Sequence, residues 1–154
     1  MTKIFKETIR GSAFTKEDTE CTGQQLSTIL TEIRDLTQSY CWYVVDILAP
    51  GQQVIELFGE QGNKQIPLNI GSTEDLIAFV SPITQFESGL FLAVNKKSKD
   101  AISWNPDEFD TEDLEHIEPA ALLIRAFDTS YFEISSKENA IIDRLVNKFK
   151  KIHM

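Results

Sequence analysis

Leu122 to Phe149 reads LLIRAFDTSYFEISSKENAIIDRLVNKF, and this stretch decides the fold class. Leu122 to Asp128 is an apolar run of strand character, Asp128-Thr129-Ser130 supplies the residues of a tight turn, and Tyr131 to Ser135 returns as the hairpin partner. Strands joined so closely are antiparallel, because a parallel pair needs a crossover of about a dozen residues or more. Ser135, with Glu138 three positions on, has the spacing of a capping box. Behind it Ile141, Ile142, Leu145, Val146, Phe149 and Ile152 recur at helical spacing, which predicts a helix over about 137–152 with its apolar face laid on the sheet.

The same logic extends towards the N-terminus. Leu26, Ile29, Leu30, Ile33 and Leu36 share one helical face while Glu32, Arg34 and Asp35 take the other, predicting an amphipathic helix over about 24–38. Thr15, Asp18 and Thr22 are cap candidates in the polar connection before it, and Lys3 to Arg10 predicts a strand. Cys41 to Leu48, CWYVVDIL, is rich in aromatic and β-branched residues and predicts a strand covered on both faces in the middle of the sheet. Gln53 to Phe58 and Lys64 to Ile70 predict two more strands around a turn at Gly59 to Asn63. Pro67 lacks a ladder donor, which holds the second of them near an edge or a bulge.

Ser72, followed by Glu74 and Asp75, predicts the start of a short helix over about 73–80 that stops before Pro82. Gly89 to Asn95 predicts a strand, Lys96 to Asp100 a turn, and Ala101 to Trp104 a short answering strand that Asn105-Pro106 ends. The predicted class is α+β: a single globular domain over 1–154, with a mainly antiparallel sheet carrying two longer helices and a short one.

Bulk composition narrows the functions available. A chain of 154 residues can bury about two thirds of the surface its unfolded form exposes, so one core suffices. With 42% hydrophobic and 25% charged residues, the composition is that of a soluble globular domain. A formal charge of −9 argues against direct binding to nucleic acid or to an anionic membrane surface, since both draw affinity from clustered Lys and Arg. No stretch approaches the roughly 20 apolar residues that span a bilayer, and MTKIFKETIR lacks the apolar core of a signal peptide, so a cytoplasmic protein is expected. Cys21 and Cys41 lack metal-ligand or redox spacing and are expected to be reduced.

Asp107 to Glu118 reads DEFDTEDLEHIE and crowds seven carboxylates around Phe109, Leu114 and Ile117, with Thr111 as a possible cap for one or two helical turns. Such a block repels itself unless water, salt or a basic partner offsets it. Asp113 and His116 are three apart and Glu112 and His116 four apart, close enough to share a metal on one helical face. No Gly follows Gly89 to make a calcium loop, however, and His and Cys are too few for a zinc site, so no metal and no cofactor are predicted. Cys21 or Cys41 with His116 or His153 is thin material for a nucleophile, Gly-rich phosphate loops are missing, and no catalytic residue is assigned. The acidic block is read instead as a partner-binding surface of Trp104, Asp107, Glu108, Phe109, Asp110, Glu112, Asp113, Glu115 and Glu118, in which aromatic anchors stand inside an electrostatic rim.

Two further classes compete with that reading. Asp46 and Arg125, placed opposite each other on neighbouring strands near Trp42, would line a pocket for a small ligand or an enzyme substrate. A structural subunit that self-associates through an apolar surface is the other.

Tyr40 to Leu48, YCWYVVDIL, and Leu122 to Phe149 together cover about a quarter of the chain, and their pattern is similar to small bacterial immunity proteins. The shared unit is a strand, an Asp-containing turn, a strand ending in an aromatic-Glu-Ile step, and a capped terminal helix. Such proteins neutralise polymorphic or contact-dependent toxins. The resemblance implies a non-catalytic inhibitor that blocks a cognate protein toxin by stoichiometric association, and it carries no residue role with it. An acidic inhibitor suits a basic toxin, such as a nuclease whose substrate site is already cationic.

Overall fold

In the computed structural model, which describes residues 3–14, 20–50 and 67–150, six strands form one sheet in which every neighbouring pair is antiparallel. The strands are β1 (Phe5–Arg10), β2 (Tyr40–Leu48), β3 (Leu68–Gly71), β4 (Ser88–Asn95), β5 (Leu122–Phe127) and β6 (Tyr131–Ser136), in the order β1-β6-β5-β4-β2-β3. Helices α1 (Gly23–Glu32), α2 (Thr73–Val80) and α4 (Asn139–Leu145) supply the buried Leu26, Leu30, Leu76, Ile141 and Leu145 to one core with Trp42, Phe91, Ile124 and Ile134 of the sheet. The single turn α3 (Pro106–Phe109) belongs to the opposite face, described below. The class is α+β, as the alternation of hairpin-length and helical segments predicts. Among the described residues no helix is long and apolar enough to cross a membrane.

Local chemistry sets the helix starts. Thr22 closes a capping box with Gln25, and Ser72 closes another with Asp75; such caps contribute about 1 kcal/mol each. Towards its end α1 tightens into a 3-10 turn at Arg34–Leu36, and the Thr37 hydroxyl donates to the Ile33 carbonyl at 3.1 Å. The helix therefore stops short of the predicted 38.

Three other boundaries depart from expectation. The Ser135–Glu138 capping box does not form, because Ser135 is buried within β6 and the Glu138 carboxylate instead accepts the Tyr40 hydroxyl at 2.7 Å. The Ser136 hydroxyl accepts the Glu138 N–H at 2.9 Å, and α4 begins at Asn139 before running into a π-helical turn at Val146–Lys150. The short strand expected at Ala101 to Trp104 is absent; a 3-10 turn occupies Lys96–Ala101, and Ile102 and Trp104 pack on the sheet rather than pairing with it. β2 is covered on both faces but stands one strand from the edge, between β4 and β3, while β5 and β4 hold the centre. The strand expected at Gln53 to Phe58, its turn at Gly59 to Asn63, the caps Thr15 and Asp18, and the last residues of the predicted C-terminal helix lie outside the described residues.

Two positions yield predictions about stability. The Gly23 N–H donates to the Ile83 carbonyl at 2.9 Å, and a Cβ on Gly23 would fall on the backbone oxygens of Val80 and Ile83. Neither oxygen can swing aside as a side-chain tip would. Gly23→Ala is therefore expected to destabilise by about 2 kcal/mol, read as a lower denaturation midpoint at unchanged slope.

In the β5–β6 turn both Asp128 (φ 47°) and Thr129 (φ 60°) are left-handed, and the Ser130 N–H donates to the Phe127 carbonyl at 2.8 Å. Left-handed φ at both central positions is the mark of a type I′ turn, here followed by one extra residue before Tyr131 pairs with Phe127, and it favours Gly at the second central position over a β-branched residue. Thr129→Gly keeps the N–H that donates to the Glu87 carbonyl at 3.0 Å, and it should raise stability by about 1 kcal/mol in the same measurement.

Candidate functional site

The face of the sheet turned away from the three longer helices is divided in two. On one half Cys41, Tyr43, Val45, Leu90, Leu92, Val94 and Leu123 make a second apolar cluster, and the segment 102–120 covers it. Phe109, Leu114, Ile117 and Ala120 are the buried residues that pin this cap. On the other half, register pairs Lys6 with Ser135, Thr8 with Glu133, Arg10 with Tyr131, and Arg125 with Glu133, leaving a mixed polar and aromatic surface over β1, β6 and β5.

The cap is shaped by short turns. Asn105 accepts the Asp107 N–H at 3.1 Å and opens α3, while the Asp113 carboxylate accepts the Glu115 N–H at 3.2 Å and opens a 3-10 turn at Leu114–His116. Thr111 caps neither turn; its hydroxyl donates to the Glu108 carbonyl at 2.7 Å. Glu112 between them is left-handed at φ 50°. Phe109, Leu114, Ile117 and Ala120 turn inward, and the carboxylates are left outside: Asp107, Asp110, Glu115 and Glu118 are exposed, and Glu108, Glu112 and Asp113 are half-buried.

The nine residues expected to meet a partner are thus brought into one segment, with one correction. Phe109 is only 2% exposed, because the cap needs it as a core residue against the sheet, so it offers no contact area. Trp104 is half-buried, its ring 5.3 Å from that of Tyr43 and 5.8 Å from that of Phe109.

Glu112 and Asp113 are tied to the sheet. Glu112 meets Arg125 at 3.2 Å and Asp113 meets Lys6 at 3.5 Å. These cations come from β5 and β1, and sequence spacing carries no signal that they serve the cap. Among the described residues no salt bridge engages the side chains of Asp107, Glu108, Glu115 or Glu118. The Lys137 ammonium approaches the last of these but donates to the Glu118 carbonyl at 3.0 Å, and burial, partly offset by the Glu118 charge, holds its pKa below the usual lysine range. The outer side of the cap is therefore an anionic ridge on which Asp107, Glu108, Glu115 and Glu118 make no salt bridge among the described residues, with Lys137 near enough to Glu118 to feel its charge.

Beside it Arg125 lies 4.4 Å over the Phe127 ring, Phe127 packs 5.1 Å from Tyr131, and Arg10 lies 4.7 Å over Tyr131. Phe127 is 37% exposed, among the most exposed large apolar residues described. Arg125 Nε is buried without a hydrogen-bond partner, which ring stacking on Phe127 partly offsets.

Other candidate chemistry does not assemble. Asp46 and Arg125 are not on neighbouring strands: β4 separates β2 from β5, and Asp46 occupies a bulge in β2 at φ 53°. Trp42 belongs to the helix-covered core, whereas Arg125 opens onto the other face, so the three residues line no common pocket. A cavity of about 150 Å³ lies instead among Arg34, Thr37, Gln38, Thr73, Glu74 and Lys96. Its Thr37 and Thr73 hydroxyls are bonded to each other at 2.7 Å, and Arg34 meets Glu74 at 3.6 Å.

Asp113, Glu115 and His116 could bring three ligand atoms within 4.8 Å of one another, a geometry common on acidic surfaces that hold no ion, and Asp113 is already engaged by Lys6. Burial pushes the Cys21 thiol up to about 11 and keeps it protonated at neutral pH. It donates to the Tyr131 carbonyl at 3.1 Å, as Cys41 donates to Asn69 Oδ1 at 3.1 Å, and among the described residues, which do not include His153, no imidazole holds either thiol.

No protein family, curated protein or solved structure matches this chain.

Proposed function

We propose that this protein is a non-catalytic, cytoplasmic immunity protein that binds a cognate bacterial toxin, a basic protein such as a nuclease, through the acidic cap. The observation that supports this reading is the anionic ridge: Asp107, Glu108, Glu115 and Glu118 are held outward, without a salt bridge among the described residues, by a segment whose apolar side chains are pinned in a core. A partner meeting it loses little ordering entropy in the cap, because the segment is already folded. Like charges gathered on one rigid surface also focus potential and speed capture of a cationic partner by roughly 10 to 10³-fold, an effect that falls steeply with salt. The pattern resemblance to immunity proteins points to the same class.

Co-expression with the protein encoded immediately upstream tests the reading. The expected result is rescue of growth and co-purification in equal amounts; a harmless neighbour that does not bind overturns it. The variant carrying Asp107→Asn, Glu108→Gln, Glu115→Gln and Glu118→Gln should fold with stability within about 0.5 kcal/mol of the parent, since these side chains make no ion pair among the described residues. Its association should slow by about 10-fold or more at low salt and lose much of its salt dependence. Unchanged association rates would place the contact elsewhere on the molecule.

A further inference from the structure

We draw no further inference here: the strongest candidate, the Arg10–Tyr131–Phe127–Arg125 ladder of stacked cations and rings across the open half of the sheet's second face, carries none because nothing in the structure shows what covers it.

Discussion

Trp42→Ala is expected to lower stability by about 4 kcal/mol. Trp42 stands on β2 with 0% of its surface exposed, and its ring fills the space between the sheet and the helices. Truncation removes that apolar area from the core and leaves a void that packed neighbours close only in part. The indole also begins a chain of hydrogen bonds. Trp42 Nε1–H donates to Thr73 Oγ1 at 2.9 Å, Thr73 and Thr37 share a bond of 2.7 Å, and the Thr37 hydroxyl donates to the Ile33 carbonyl at 3.1 Å.

Because the Ile33 carbonyl can only accept, the Thr37 proton goes to it, and the Thr73 proton is left for Thr37. One directed chain thus ties β2 to the first residue of α2 and the last turn of α1. Two companion variants separate packing from polarity. Trp42→Phe leaves the Thr73–Thr37 bond intact and should cost about 2 kcal/mol, while Thr73→Val leaves the indole N–H buried without an acceptor and should cost about 2 kcal/mol by a different route. Denaturant midpoints followed by far-UV circular dichroism give all three. A Trp42→Ala midpoint within about 1 kcal/mol of the parent would mean that the core is not built around this ring.

What the sequence discloses and what it withholds divide along the same line as local and non-local contacts. The β5–β6 hairpin, the cap at Ser72, the cap at Thr22 and the edge position of β3 after Pro67 are each set by residues within a few positions of one another, and all are found as read. CWYVVDIL correctly signals burial on both faces, but that burial arises from helices on one side and the 102–120 cap on the other, not from a place at the centre of the sheet. Ser135 and Glu138 have the spacing of a capping box, yet Ser135 is taken by a strand and Glu138 by Tyr40, a partner far away in the chain.

Asp46 and Arg125 each interrupt an apolar run, and that likeness is all that places them opposite each other in the sequence. Strand order, which no local pattern encodes, puts β4 between them. For the acidic block the carboxylates are legible as a surface, but Phe109 among them is a core residue and not an exposed anchor. Phe109, Leu114 and Ile117 interrupt the acids at intervals that suit an amphipathic cap, and that spacing was the available sign that Phe109 faces inward.

Phe109→Ala is the second variant expected to have a large effect, about 3 kcal/mol, and it sets the two roles of the cap against each other. Phe109 is buried against the β2 and β4 side chains and touches Trp104, so its loss opens a void where the acidic segment meets the sheet. Of the carboxylates around it, Glu112 and Asp113 still hold to Arg125 and Lys6 of the sheet, but these partly exposed pairs contribute less than the lost apolar contact, and the remaining acids repel one another and favour a detached segment. Destabilisation should therefore appear first in the cap, as faster hydrogen exchange at residues 105–117 and a red-shifted emission from Trp104, whose ring loses its Phe109 contact while Trp42 stays buried.

The four-carboxylate variant should move neither observable. If the cap is the contact surface, both variants weaken partner association, but by separable routes. Phe109→Ala lowers affinity by the fraction of molecules with a folded cap and leaves the salt dependence of the remainder intact, whereas the charge variant lowers the association rate with the cap fully formed. A Phe109→Ala protein with parental stability, exchange rates and Trp104 emission would show that the acidic segment is not held by its apolar side chains. The ridge would then lose the rigidity on which its proposed role as a preformed docking surface depends.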